Sequence, residues 1–318
     1  MTGFFARPVL AIALAVSPIS MAKAETPLAD HGKVVADMEA ILALPAKTAA
    51  AKQALSGAHL ANIGMRFTCK TDCLFDWLCF GKFTYSGSVS FTPAQIKLRS
   101  MVDLIDAEAA AFLETANPAL HRWRETVEAT EQDFGAAAEI LSEARKAGGS
   151  PSAVQRARFR SSVRSIQASL KESAAALGEL QMEMAKFTLL QEARAKGLVD
   201  WENKMEQSVV TIAGKMSEAL SEFPCKGNGP QQLETGRQAA LDTLRTVSQH
   251  ITALASDASA AEAAGRRLSG AVETLVAQYD GVAKAMDNAE GSEFASLVQK
   301  IRFDTSRRMF SDLAGLAR

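Results

Sequence analysis

Aromatic residues are scarce, at 6% of the chain, and beyond its first two dozen residues no apolar run reaches the length needed to cross a bilayer. Neither charge sign dominates, with 35 Lys and Arg against 36 Asp and Glu, so the basic footprint of a nucleic-acid binder is missing. The four histidines, His31, His59, His121 and His250, are scattered, and no H-E-x-x-H pair stands on a helix. Nor is there a G-x-S-x-G elbow, a P-loop, a G-x-G-x-x-G turn or a C-x-x-C-H haem attachment. Acidic pairs at helical spacing, Glu125 with Glu128 and Glu179 with Glu183, sit among lysines and arginines and read as solvated faces. These absences lead to the expectation of a non-enzyme with no catalytic residue, no cofactor and no bound metal.

What is present begins with an export signal over residues 1–24. Arg7 lies in its n-region, an apolar run extends from Val9 to Val16, and Ala22-Lys23-Ala24 supplies a small-x-small cleavage site, so the mature chain is expected to start at Glu25 in the periplasm or outside the cell. Loss of Arg7 and Lys23, with no acid, moves the net charge from −1 to −3. No transmembrane anchor is expected, and contact with a membrane surface is left open.

The rest is rich in Ala, Leu, Glu, Gln, Lys and Arg, the residues that lose least on entering a helix. From Leu244 the apolar or small positions run Val247, Ile251, Leu254, Ala258, Ala261, Gly265, Leu268, Val272, Leu275, Tyr279, Val282 and Met286, alternating steps of three and four over six heptads. The segment before it repeats the pattern with Phe159, Val163, Ile166, Leu170, Ser173, Leu177, Leu180, Met184 and Phe187, then Leu198, Trp201, Met205 and Ile212. Ser150-Pro151 and Gly229-Pro230 mark starts, and the stretch 224–229 cannot continue a helix, so helices are predicted over 151–223 and 230–288. At 1.5 Å rise they would be roughly 110 Å and 90 Å long, if Gly197 does not break the first.

A third helix opens at Thr92-Pro93 with Leu98, Val102, Ile105, Ala109 and Phe112 on one stripe, and is predicted to kink or restart at Asn117-Pro118 before Leu120, Trp123, Val127, Phe134 and Leu141. Residues 28–65 read as helical with an interruption at Pro45, and a last helix is predicted over 292–316. The Arg156, Arg158, Arg160 and Arg164 cluster interleaves with the seam and reads as an outer face. The fold class expected is all-α: an elongated antiparallel helical bundle or coiled coil with a small disulfide-bonded β-hairpin insert at one end. Its parts are the signal at 1–24, an N-terminal helical segment at 25–66, the insert at 67–92 and the long-helix bundle at 93–318.

The insert breaks the helical period. Residues 67–91 hold seven of the twenty aromatics and three of the four cysteines. Cys73, Phe75, Trp77 and Cys79 alternate with Leu74, Asp76 and Leu78, Gly81-Lys82 suits a turn, and Phe83, Tyr85, Val89 and Phe91 alternate with Thr84, Ser86, Ser88 and Ser90. A β-hairpin is predicted, with a short helix through Leu74–Leu78 as the alternative. An even cysteine count in an exported chain favours disulfides among Cys69, Cys73, Cys79 and Cys225 over a thiolate metal site. A strand would hold Cys73 and Cys79 roughly 20 Å apart, too far to bridge. Counting helix directions puts the loop of Cys225 at the same end as the insert, so a Cys225–Cys79 bridge and a Cys69–Cys73 bridge are predicted. The exposed aromatics Phe75, Trp77, Phe80, Phe83 and Tyr85 form the candidate interaction surface.

Cys73-Leu74-Phe75-Asp76-Trp77-Leu78-Cys79, with the alternation on to Phe91-Thr92-Pro93, resembles the cysteine-tryptophan-leucine-cysteine element of periplasmic mating-pair proteins of conjugative type IV secretion systems, over about 21 of 318 residues. That resemblance implies a non-enzymatic scaffold or interaction protein with protein partners in the cell envelope, no nucleic acid, and scope for self-association. In architecture, a long helical bundle bearing an apolar hairpin is similar to the cytolysin A type of helical pore-forming toxins. This alternative implies a hairpin tongue that inserts into a target membrane. A ligand-binding bundle stays open as a third reading, with no polar cluster that names a ligand.

Overall fold

Heptad seams dictate the architecture seen in the computed structural model, which describes residues 31–59, 64–71, 83–90, 92–146, 152–222, 225, 227–286, 293, 296–298 and 302–317. Its elements are α1 (His31–His59), β1 (Gly64–Thr71), β2 (Phe83–Ser90), α2 (Thr92–Lys146), α3 (Ala153–Glu222), α4 (Gly229–Met286) and α5 (Phe303–Ala317). All thirteen seam positions predicted from Leu244 to Met286 are buried on α4. On α3 the predicted stripe is buried from Phe159 through Phe187 and again at Leu198 and Trp201, while Met205 and Ile212 are half-buried.

The first four long elements close into an antiparallel bundle in which α1 packs on α4, α4 on α3, α3 on α2 and α2 on α1. Cross-helix polar pairs record the direction of each neighbour. Asp37–Arg267 and Lys47–Asp257 join α1 to α4, Glu108–Arg194 and Arg122–Glu179 join α2 to α3, and Glu206–Arg245 and Lys171–Asp280 join α3 to α4. In every case the residue number rises on one helix as it falls on the other. With 70 residues, α3 outreaches the 55 of α2. Alongside the opening turns of α4 the neighbour is therefore β1.

None of the three candidate break points ends a helix. Pro45 and Pro118 lie inside α1 and α2, and α3 passes through Gly197 without a break. A mid-helix proline costs about 3 kcal/mol and a glycine about 1. Around Pro118 the buried side chains Ala116, Ala119, Leu120 and Trp123 hold the same seam on both sides, and their burial outweighs that cost. Leu198 and Trp201 do the same beside Gly197.

The start of α3 is also displaced from the Ser150-Pro151 expectation. Ser152 caps it: the Ser152 hydroxyl accepts the Gln155 N–H at 3.2 Å, and Gln155 Oε1 accepts the Ser152 N–H at 2.9 Å. The final helix starts at Phe303 because Arg302 takes a left-handed conformation, φ 46°, with its carbonyl accepting the N–H groups of Thr305 and Ser306. This helix closes the end of the bundle away from the strands. Phe134 meets Phe303, Phe310 and Tyr279 with ring centroids 5.6, 5.6 and 5.7 Å apart.

Candidate functional site: a clamped hairpin

Two-residue periodicity builds the head. On β1, Met65, Phe67, Cys69 and Thr71 are buried while Arg66, Thr68 and Lys70 are exposed. The strand pairs antiparallel with β2 in a register that sets Met65 opposite Val89, Phe67 opposite Gly87, Cys69 opposite Tyr85 and Thr71 opposite Phe83. The first strand thus lies upstream of the predicted Cys73–Cys79 run, and residues 72–82 connect the two strands. The alternation over 64–71 was the sequence signal for it, masked by the richer aromatic content that follows.

Close approach of β1 to α4 explains two glycines, and packing across the sheet a third. A Cβ on Gly236 would stand 3.3 Å from the Met65 Cα, and one on Gly229 would stand 2.9 Å from the Cys225 Sγ and collide with the Cys69 Sγ. Across the sheet the Phe67 ring lies over Gly87, where a Cβ would come within 2.5 Å of it. Tyr85, half-buried, meets Phe67 edge-on at 6.2 Å. One polar contact fastens the outer edge of β1: the Thr68 N–H donates to Gln232 Oε1 at 2.9 Å. An open groove between β1 and α4 is lined by Arg66, Thr68, Asn228, Gln231, Gln232 and Thr235.

Cys225 does bridge to the hairpin region, at the end of the bundle that helix direction assigned to it. Its partner, however, is Cys69 and not Cys79. Cys69 faces inward on β1, fully buried against the start of α4, which brings its Cα to 5.1 Å from that of Cys225. The Cys69–Cys73 pairing is excluded with it. Cys73, Cys79, Phe75, Trp77 and Phe80 lie outside the described residues; Phe83 opens β2, and Tyr85 faces the core side of the sheet.

Away from the head, polar groups serve the seams. Glu108 accepts a forked pair from Arg194, 3.1 Å to Nε and 2.7 Å to Nη2, and a longer bond of 3.4 Å from the buried Gln191. Its hydrogen bond to Glu108 raises the affinity of Arg194 for its proton. On α4, Asp280 accepts from Lys171, Lys284 and Gln167, which hold its carboxyl down at about 2. Burial, partly offset by the Ser306 hydroxyl, pushes the Tyr279 phenol well above its ordinary range. Among the described residues no three His, Cys, Asp or Glu side chains group as metal ligands, and no helix is long and apolar enough to cross a membrane.

The site and fold define an all-α bundle of long helices with a sheet-bearing head, and components of tripartite α-pore-forming toxins are among the solved structures that share this fold. The AhlB pore of the tripartite α-pore-forming toxin AHL from Aeromonas hydrophila superposes with a TM-score of 0.54 at 9% identity, covering 90% of this chain and 97% of that one. Soluble AhlB matches at 0.51 and 10% identity, over 92% and 93% of the two chains. Soluble SmhB of the tripartite toxin Smh from Serratia marcescens matches at 0.50 and 9%, over 90% of each. At such identities the likeness is one of fold. No protein-family model and no curated protein sequence matches the chain. The conjugation resemblance gains nothing from these neighbours.

Proposed function

We propose that this chain is an exported, non-enzymatic component of a helical pore-forming toxin, with the clamped hairpin as its membrane-contacting end. The observation that carries this reading is the likeness to a pore structure over nearly the full length of both chains. A bundle held by heptad seams and a few cross-helix ion pairs suits such a role, since long helices slide and re-register at lower cost than a sheet or a globular core. The hairpin region adds sequence chemistry. The connection at 72–82 carries Leu74, Phe75, Trp77, Leu78 and Phe80 with only Asp72, Asp76 and Lys82 as charges, and aromatic side chains favour the bilayer interface. Membrane entry would start there and not from a preformed spanning helix.

In this reading residues 1–24 direct export, 25–66 and 93–318 build the body, 67–92 is the tongue, and the partners are further copies or companion subunits. Flotation with liposomes and release of an entrapped dye test it. The purified mature chain is expected to float with vesicles, and Trp77→Asp to lose that binding while keeping its helical circular dichroism. A chain that neither floats with nor permeabilises vesicles of any headgroup composition overturns the proposal.

A further inference from the structure

The hairpin carries a second surface that neither the bundle nor the disulfide occupies. Among the described residues the sheet has two strands, so β2 is an edge there. Over its eight residues, Phe83-Thr84-Tyr85-Ser86-Gly87-Ser88-Val89-Ser90, it bears no proline and no charged side chain, and it pairs without a bulge. Those are the devices that keep strand edges from pairing with other chains.

Which backbone groups face outward follows from the register. The Thr68 N–H points away from β2 to Gln232, so Thr68 and Ser86 form a non-hydrogen-bonded pair. By alternation Thr84, Ser86 and Ser88 also turn their N–H and C=O groups to the open edge. Among the described residues nothing accepts from or donates to them there.

We propose that this edge is a strand-addition site for β2 of a second copy of the chain, paired antiparallel about Gly87 into a four-stranded sheet across two molecules. The strand is complementary to itself in that register. Ser86 would exchange both backbone bonds with Ser88 of the second copy, which matches the outward parity of those residues. The closer, non-hydrogen-bonded pairs would be Tyr85 with Val89 on the half-buried face and Gly87 with Gly87 at the centre, where each Phe67 ring already covers the missing side chain. On the exposed face hydroxyls meet hydroxyls and no like charges oppose. A charged peptide partner would find no counter-charge on β2. The pairing is independent of any action on membranes.

The test uses the mature chain in sedimentation velocity over a range of concentrations. A concentration-dependent dimer is expected, weakened roughly tenfold or more by Ser86→Lys with Ser88→Lys, which places like charges across the new pair, at unchanged helical content and melting temperature. A short bis-maleimide reports the register without disturbing the disulfides. Thr84→Cys mixed with Ser90→Cys should cross-link, and Thr84→Cys alone should not, because two such residues would lie about 20 Å apart. A chain that stays monomeric overturns the proposal. So does a dimer indifferent to the lysines, or one that cross-links through Thr84→Cys alone, the signature of parallel pairing.

Discussion

Cys69 and Cys225, 156 residues apart in the chain, are joined at the point where β1 crosses the opening turn of α4. The bond ties the two-stranded sheet to the connection between the two longest helices, where the inward face of β1 and the contact of Thr68 with Gln232 also attach it.

Closing a loop of that length lowers the entropy of the unfolded chain, so Cys69→Ser with Cys225→Ser should cost about 3–5 kcal/mol of unfolding free energy. Urea denaturation monitored by circular dichroism checks the magnitude. Peptide mapping without reductant checks the connectivity, and must recover the peptide of Cys69 linked to that of Cys225.

Glycines in this chain divide by what surrounds them. A methyl group on Gly229 would displace the disulfide sulfurs, so Gly229→Ala is expected to destabilise by about 1–3 kcal/mol. Gly197 and Gly214 have nothing within 4 Å of the added Cβ, so alanine there should raise stability by about 0.5–1 kcal/mol through helix propensity alone. Thermal melts of the three single variants decide both signs.

Removing Arg194 strands Glu108, whose side chain is only 11% exposed, with the long bond from Gln191 as its remaining partner. Arg194→Met should cost about 1–3 kcal/mol, and Glu108→Gln in the same chain should recover part of it by removing the uncompensated charge. Denaturant unfolding of the double-mutant cycle measures the coupling.

Asp280 gives a pH dependence of known sign. Its carboxyl is depressed from 3.8 to about 2, so the contacts from Lys171, Lys284 and Gln167 stabilise the fold at every pH above the ordinary aspartate range. That contribution is lost as pH falls from just under 4 through about 2. The difference in melting temperature between the natural chain and Asp280→Asn should be constant at neutral pH and vanish at the acid end of that window.

Local pattern was enough for the helices. Steps of three and four from Phe159 to Phe187 and from Leu244 to Met286 put one continuous apolar stripe on each, and every one of those residues is buried, because a seam that long has only one way to leave water. Helix direction likewise placed the cysteine loop at 225 beside the hairpin. The helices run through Pro45, Pro118 and Gly197 for a single reason: the local penalties are real, but burial on both sides of each is larger and is not visible in a short window.

By itself, then, the sequence determined an all-α chain with long seams, a two-residue period around the cysteines, and the end of the bundle at which Cys225 meets them. Only the tertiary structure decided that Cys69 is the partner, that the first strand is Gly64–Thr71, and that β2 pairs with it in the register that sets Cys69 opposite Tyr85. Each of those depends on a distance between segments far apart in the chain, where packing of β1 on Gly229 and Gly236 selects one pairing among several that spacing alone leaves equal.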